Sequence, residues 1–194
     1  MSDEPSIEFV QPPTLQNGPI LLAEPDPNWP TAYAEQEACI RSSLGDRAVR
    51  VEHVGSTSVP ALAAKPILDI LLLVSDPTAE HDYVPALERN GYQLHHREPG
   101  WYEHRLLKRT DPAVNLHVFG RDCPEAERML LFRDWLHSDA VDRELHERTK
   151  RELAQHEWKY VQRSADAKSA VVEEVITRAQ AARRQTSNRL VLSG

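Results

Sequence analysis

The stretch PILDILLLV, residues 66–74, limits the fold more than any other part of the chain. It is too short for a buried helix, has no two-residue alternation, and is aliphatic except for Asp69 and the leading proline. That is the composition of a strand covered on both faces, so it predicts the middle of a sheet with helices on either side. Just upstream, AVRVEHV alternates Val49, Val51 and His53 against Arg50, Glu52 and Val54, which predicts a second strand. The residues STSVPALAA between them predict a short turn or helix.

The remaining punctuation completes an α/β pattern. WPTAYAEQEACIRSSLG predicts a helix capped by Asn28, with Pro30 in its first turn and Gly45 at its end. Trp29, Tyr33, Ile40 and Leu44 recur along it at helical spacing. TAEHDYVPALERNG predicts a second helix ended by Gly91, and YQLHH, EHRLLKR and AVNLHVFG predict three strands separated by Pro99-Gly100 and Asp111-Pro112. Ile20, Leu21 and Leu22 are expected to add a short strand or cover an edge.

From Glu125 three helices follow, at EAERMLLFRDWLHS, at AVDRELHERTKRELAQH with Val141, Leu145, Thr149 and Leu153 four apart, and at SADAKSAVVEEVITRAQAARR capped by Ser164. The expected architecture is a small mixed sheet of four or five strands flanked by helices, with a helical C-terminal part. It occupies one domain, 19–183, between a mobile arm at 1–18 and a tail at 184–194.

A length of 194 residues suits one domain. No apolar run approaches the roughly 20 residues of a membrane helix, and MSDEPSIEFVQPP lacks the basic and apolar regions of a secretory signal, so no membrane is expected and the cytoplasm is the default location. Two cysteines, Cys39 and Cys123, have neither disulfide-scaffold nor zinc-ribbon spacing. The net charge of −7 opposes bulk nucleic acid, whose binding draws on many cations, but a small phosphorylated ligand needs only a few.

Chemistry concentrates in RVEHVGSTSVPALAAKPILDILLLV. A strand ending in Gly55 and Ser56 presents backbone amides at one point, and a helix opened by Ser56 would add the positive end of its dipole. Thr57 and Ser58 supply hydroxyls, and Lys65 supplies a mobile charge. The carboxylate of Asp69, costly to desolvate in an aliphatic strand, is compensated if Mg2+ or Mn2+ bridges it to phosphate. Equally open is a tight turn in which Asp69 pairs with Lys65, Arg50 or a backbone donor.

Glu103 and Arg105 lie two residues apart on one strand, as a base or ligand beside a phosphate clamp, or as a plain ion pair. Arg133 and Asp134 in LLFRDWL pair with one another or face the cleft. His95 and His96 are expected on opposite strand faces, poor geometry for joint ligation. Trp29, Trp101, Trp135 and Trp158 are scattered, so no base-stacking platform is expected.

VEHVGSTSVPALAAKPILDI closely resembles the signature of the GrpB family. EPDPNWP, LLFRDWL, and Tyr160 with ADAKSAVVEEVI resemble further family elements, so the likeness runs over roughly residues 20 to 180. The family is assigned to the nucleotidyltransferase superfamily, and the resemblance implies that fold, with Gly55 and Ser56 on nucleotide phosphates and Asp69 as first metal ligand. It also raises Lys150 and Lys168 as phosphate contacts. The superfamily's second carboxylate position is Leu71 here, and the inward polar residue of the later strand is His117.

Three arrangements remain: one metal on Asp69 with His53, Glu52 or His117; a metal-free site using Lys65 and arginines; or a nucleotide-binding domain without chemistry. The expected ligand lies over the GSTS turn and Asp69, with Arg105, His117 and Arg133 opposite and His117 or Glu103 as base. The expected activity is transfer of a nucleotidyl group from a nucleoside triphosphate to a small-molecule acceptor, or its activation for ligation. The alternative is a regulatory binding module; acceptor, base preference and oligomeric state are left open.

Overall fold

The computed structural model describes residues 7–12, 21–155 and 161–192, without the side chains of 155, 161–169 and 186–192. Leu68–Val74 is the strand β3, and its dense aliphatic composition is explained by burial: Ile70, Leu71 and Leu72 are wholly inaccessible. It lies between β2 (Arg50–Val54), antiparallel, and β6 (Ala113–Gly120), parallel. Beyond β6 follow β5 (His104–Thr110), β4 (Gln93–Glu98) and β1 (Glu8–Phe9), giving the order β1-β4-β5-β6-β3-β2.

Six strands are therefore paired among the described residues, not four or five. β1 comes from the stretch expected to be a mobile arm. It pairs Glu8 with Arg97 and Phe9 with His96. Ala23, not Leu21 or Leu22, makes the bridge to Ala64, and Leu21 is exposed.

The two faces of β3 serve different layers. Ile70, Leu72 and Val74 join Leu107, Leu116 and Val118 beneath α1 (Trp29–Leu44) and α2 (Val84–Glu88). Leu71, Leu73, Val54 and Phe119 pack on the other face against Ala126 and Leu130 of α3 (Pro124–Ser138). Each fully buried leucine contributes about 1.5–3 kcal/mol.

Local chemistry explains most helix ends and corrects some expectations. Asn28 makes no side-chain cap on α1; its amide nitrogen and backbone N-H both donate to Asp26 instead. The second expected helix is a short turn at Glu80–Asp82 followed by the five-residue α2. α4 (Ala140–Gln155) turns its inner face one residue from the expected stripe: Val141 is exposed, whereas Asp142 and His146 are buried. Asp142 stays ionised because Arg178 and Trp135 Nε1 donate to it, and those bonds hold its carboxyl below the usual range.

α5 (Val161–Leu192) begins ahead of Ser164 and continues through the expected tail. Its Val175, with Leu136 and Phe132 of α3, packs on Val59 and Leu62, the residues that follow the Gly-Ser turn. The C-terminal helices thus hold that turn in place. No described helix is long and apolar enough to cross a membrane.

Candidate functional site

The Gly-Ser turn and the lone aspartate meet at one end of the sheet. Val54, the last residue of β2, pairs with Asp69 at the start of β3. Gly55 then takes φ +69°, a conformation that L side chains rarely adopt, and the Asp69 carboxylate fills the place of its missing side chain. A Cβ there would stand 2.8 Å from Asp69 Cβ.

Ser56–Ser58 form a single 3-10 turn, so no helix dipole points at the site. The turn is held shut by Ser58, whose Oγ donates to the Gly55 carbonyl at 2.6 Å, while the Ser58 carbonyl meets His137 Nε2 at 2.9 Å. Thr57 is buried and its Oγ1 lies 3.0 Å from His53 Nε2.

Parallel pairing of β3 with β6 sets Asn115 beside Asp69 and His117 beside Leu71. Asn115 Nδ2 donates to Asp69 Oδ1 at 2.9 Å, and His117 Nε2 lies 3.7 Å from the same oxygen. The Asp69 side chain keeps 31 % of its surface exposed, so an ion from solvent can reach it.

A row of imidazoles leads away from Asp69 across the sheet. His117 Nδ1 is 3.1 Å from His104 Nε2, and His104 Nδ1 is 2.6 Å from Glu98 Oε2. Burial pushes the His104 imidazole down to about 2, so this ring is neutral. Its Nδ1 faces the Glu98 carboxyl and its Nε2 faces the His117 ring, so both nitrogens are engaged. His117 Nε2 is left facing Asp69 Oδ1.

Several expected site residues stand elsewhere. His53 is not placed to share an ion with Asp69: it stacks on Tyr33 at 4.6 Å on the α1 side of β2, and burial lowers its imidazole to about 4. Arg105 pairs with Val118 in β5 and β6, so it projects from the opposite face to His117. There its guanidinium meets Glu80 at 2.9 Å and Glu103 at 2.9 Å, which leaves Glu103 in the turn as the partner of Arg105 and not as a base at the site.

Arg133 binds Glu52 at 2.8 Å, the His53 carbonyl at 3.0 Å and Asp134 at 2.8 Å, tying α3 to β2. Burial would raise the Glu52 carboxyl, yet the bonds from Arg133 and Arg50 hold it below its ordinary range. Lys150 donates to the Ala63 carbonyl at 2.6 Å, reaching the loop between Ser58 and β3. Lys65 is half-buried on that same loop. Lys168 lies where the side chains of α5 are not described, and Trp158 and Tyr160 fall outside the described residues.

The structure brings together Gly55, Ser56, Asp69 and His117 from the expected set and adds Asn115, while His104, Glu98 and His96 continue the row away from them. His96 escaped sequence reading as a neighbour of Glu98 and His104 because a bulge in β4, between Leu94 and His96, breaks the two-residue alternation. His95 and His96 therefore do not point to opposite faces; their Nδ1 atoms are 2.8 Å apart.

One mixed sheet between helical layers, with a strand-end Gly-Ser turn wrapped around a single carboxylate, defines an α/β protein with a polar site at the β2/β3/β6 end of the sheet. The chain belongs to the GrpB family, whose model matches residues 19–178. It is 54 % identical over 165 residues to a UPF0157 protein of Halalkalibacterium halodurans, covering 85 % of each chain. A UPF0157 protein of Streptomyces coelicolor is 43 % identical over 183 residues, covering 94 % of this chain and 95 % of that one. The crystal structure of conserved protein GrpB from Enterococcus faecalis superposes with a TM-score of 0.70 at 27 % identity, over 82 % of this chain and 96 % of that chain. A dephospho-CoA kinase of Mycolicibacterium paratuberculosis is 29 % identical over 151 residues, which are 37 % of that longer protein.

Proposed function

We propose that the chain binds a nucleoside triphosphate over the Gly55–Ser58 turn beside Asp69 and transfers its nucleotidyl group to a small-molecule acceptor. The observation that carries this reading is the Asp69 carboxylate set against Gly55, half-exposed at the end of an otherwise buried strand. The accessible carboxylate marks where a cation would balance phosphate oxygens set over the turn.

The donor set fits one hydrated ion and not two. Mg2+ or Mn2+ keeps several waters and needs only one or two carboxylates with phosphate oxygens, which Asp69 meets. Leu71 stands where the second carboxylate of a two-metal site would be, and it is inaccessible within the core. When bound, such an ion supplies charge neutralisation on the phosphates.

The chain's own groups then have defined work. The acceptor oxygen forms a bond to the α-phosphorus, the bond from that phosphorus to the β-phosphate oxygen breaks, and pyrophosphate leaves. The acceptor's proton passes to His117, whose Nε2 faces the site beside Asp69. Asn115 orients the Asp69 carboxylate through its 2.9 Å bond.

Leu71 favours a second reading, a nucleotide-binding regulatory module without turnover. The dephospho-CoA kinase match, in which such a sequence forms part of a longer protein, suits that role. Calorimetry with ATP, GTP, CTP and UTP, each with Mg2+ and Mn2+, tests both; no binding to any would overturn the nucleotide readings together. Pyrophosphate release with a panel of hydroxyl and carboxyl acceptors separates them, since the module releases none.

A further inference from the structure

A second group of ligating side chains stands at the far end of the imidazole row, outside the proposed nucleotide site. His96 Nε2, Glu98 Oε2 and His104 Nδ1 all lie within 4.8 Å of one another. We propose that these three residues form a transition-metal site of the zinc class, with three protein ligands and one position open to water.

The backbone places the three donors on rigid elements. Glu98 is directly paired with His104 across β4 and β5, and His96 lies two residues before Glu98 on the same strand. The bulge after Leu94 is what turns His96 to this side; the intervening Arg97 points to the other face, where it binds Glu80 at 2.5 Å. Strand residues on two hydrogen-bonded neighbours hold ligand positions better than loop residues do.

The chemistry selects the class of ion. Two imidazole nitrogens and one carboxylate oxygen are the His2Glu set of an open zinc site, whereas Mg2+ and Ca2+ prefer oxygen throughout. His96 Nε2 and Glu98 Oε2 are 3.4 Å apart, which matches the edge of a tetrahedron with bonds of about 2.0–2.1 Å. His104 Nδ1 and Glu98 Oε2, at 2.6 Å, share a proton that the ion would displace.

The surroundings have the form that holds metal ligands in place. Each ligating ring has its other nitrogen engaged by a further imidazole: His96 Nδ1 by His95 at 2.8 Å, and His104 Nε2 by His117 at 3.1 Å. Trp101 and Phe119 pack on the His104 ring at 5.0 and 4.6 Å, and Phe9 of β1 packs edge-on to His96 at 5.6 Å. These rings give the three donors an apolar rim, the kind of shell that limits water around a bound ion.

The test uses the tag-free full-length chain stripped with chelator. Titration with Zn2+ followed by calorimetry, and with Co2+ followed by visible absorption, should each show one equivalent bound and bands of a four- or five-coordinate nitrogen and oxygen site. Glu98→Gln and His96→Phe should each weaken zinc at least about tenfold, a loss of about 1.4 kcal/mol, while Asp69→Ala should leave it unchanged. Zinc should also raise the melting temperature of the parent and not of Glu98→Gln. If His96→Phe fails to fold, Glu98→Gln alone decides. The absence of a stoichiometric site, or binding equally tight in Glu98→Gln, overturns the proposal, and neither outcome touches the nucleotide reading.

Discussion

Gly55 and Asp69 occupy one space: the aspartate's carboxylate and Cβ lie where a side chain at position 55 would have to go. Gly55→Ala therefore suffers twice, from φ +69° and from the collision. We expect a loss of about 1–3 kcal/mol from the backbone alone, with the clash adding to it. Urea unfolding of the single variants and of Gly55→Ala/Asp69→Ala checks the coupling, because removing the carboxyl relieves part of the strain and the two effects should not add.

Restoring a second carboxylate should break the protein before it makes a second metal site. Leu71 has no accessible surface and packs with Val54, Leu73 and Phe119. Leu71→Asp buries an unpaired charge and opens a cavity, and we expect destabilisation beyond about 4 kcal/mol. Far-UV circular dichroism and melting would show it; a folded Leu71→Asp chain that binds two Mn2+ ions would contradict the assignment of that position to the core.

Arg133 and Asp69 should separate stability from ligand binding. Arg133→Met removes a guanidinium already bound to Glu52 and Asp134 and should cost about 1–3 kcal/mol by weakening the α3 to β2 contact. Its nucleotide affinity should equal that of the parent. Asp69→Ala should do the reverse, losing metal-dependent nucleotide binding with a smaller change in melting, as calorimetry and thermal unfolding on the same samples would report.

His53 gives stability a pH dependence of known sign. Burial lowers its imidazole from 6.5 to about 4, so between those values the unfolded chain takes up a proton that the folded chain does not. Stability is complete above pH 6.5 and declines as the pH falls toward 4. His104, lowered by burial to about 2, acts in the same direction. His53→Gln should flatten the decline between pH 6.5 and 4, measured by urea unfolding with chelator present.

The parts of the fold written in local chemistry were legible from the chain. The unbroken aliphatic run of β3, the alternation in β2 and the proline and glycine punctuation each place an element within a few residues. Pairing is different, because it depends on residues far apart. Nothing in AVNLHVFG says that it runs parallel to LDILLLV, and that register alone sets Asn115 and His117 near Asp69.

Arg105 illustrates the same limit. Period two correctly separates it from His104, but which face holds the site is decided by the partner strand. At His95 and His96 the period itself fails, since one extra residue in β4 redirects the pair. Positive φ at Tyr102 and Glu103 likewise takes Glu103 off the strand pattern. Gly55 and Asp69, by contrast, were recognisable because a glycine after a strand and a charge in an aliphatic run are each anomalous where they stand.

The parallel pairing of β3 with β6 also governs how the protein is made. β3 is complete at Val74, but its second neighbour does not begin until Ala113. During synthesis the most apolar strand of the chain is therefore exposed with one open edge until β4, β5 and β6 have followed it. Such long-range closure is slow, and an unpaired aliphatic edge invites association with other chains. The strand that anchors Asp69 is thus the segment of the growing chain with most to lose until Ala113–Gly120 pairs with it.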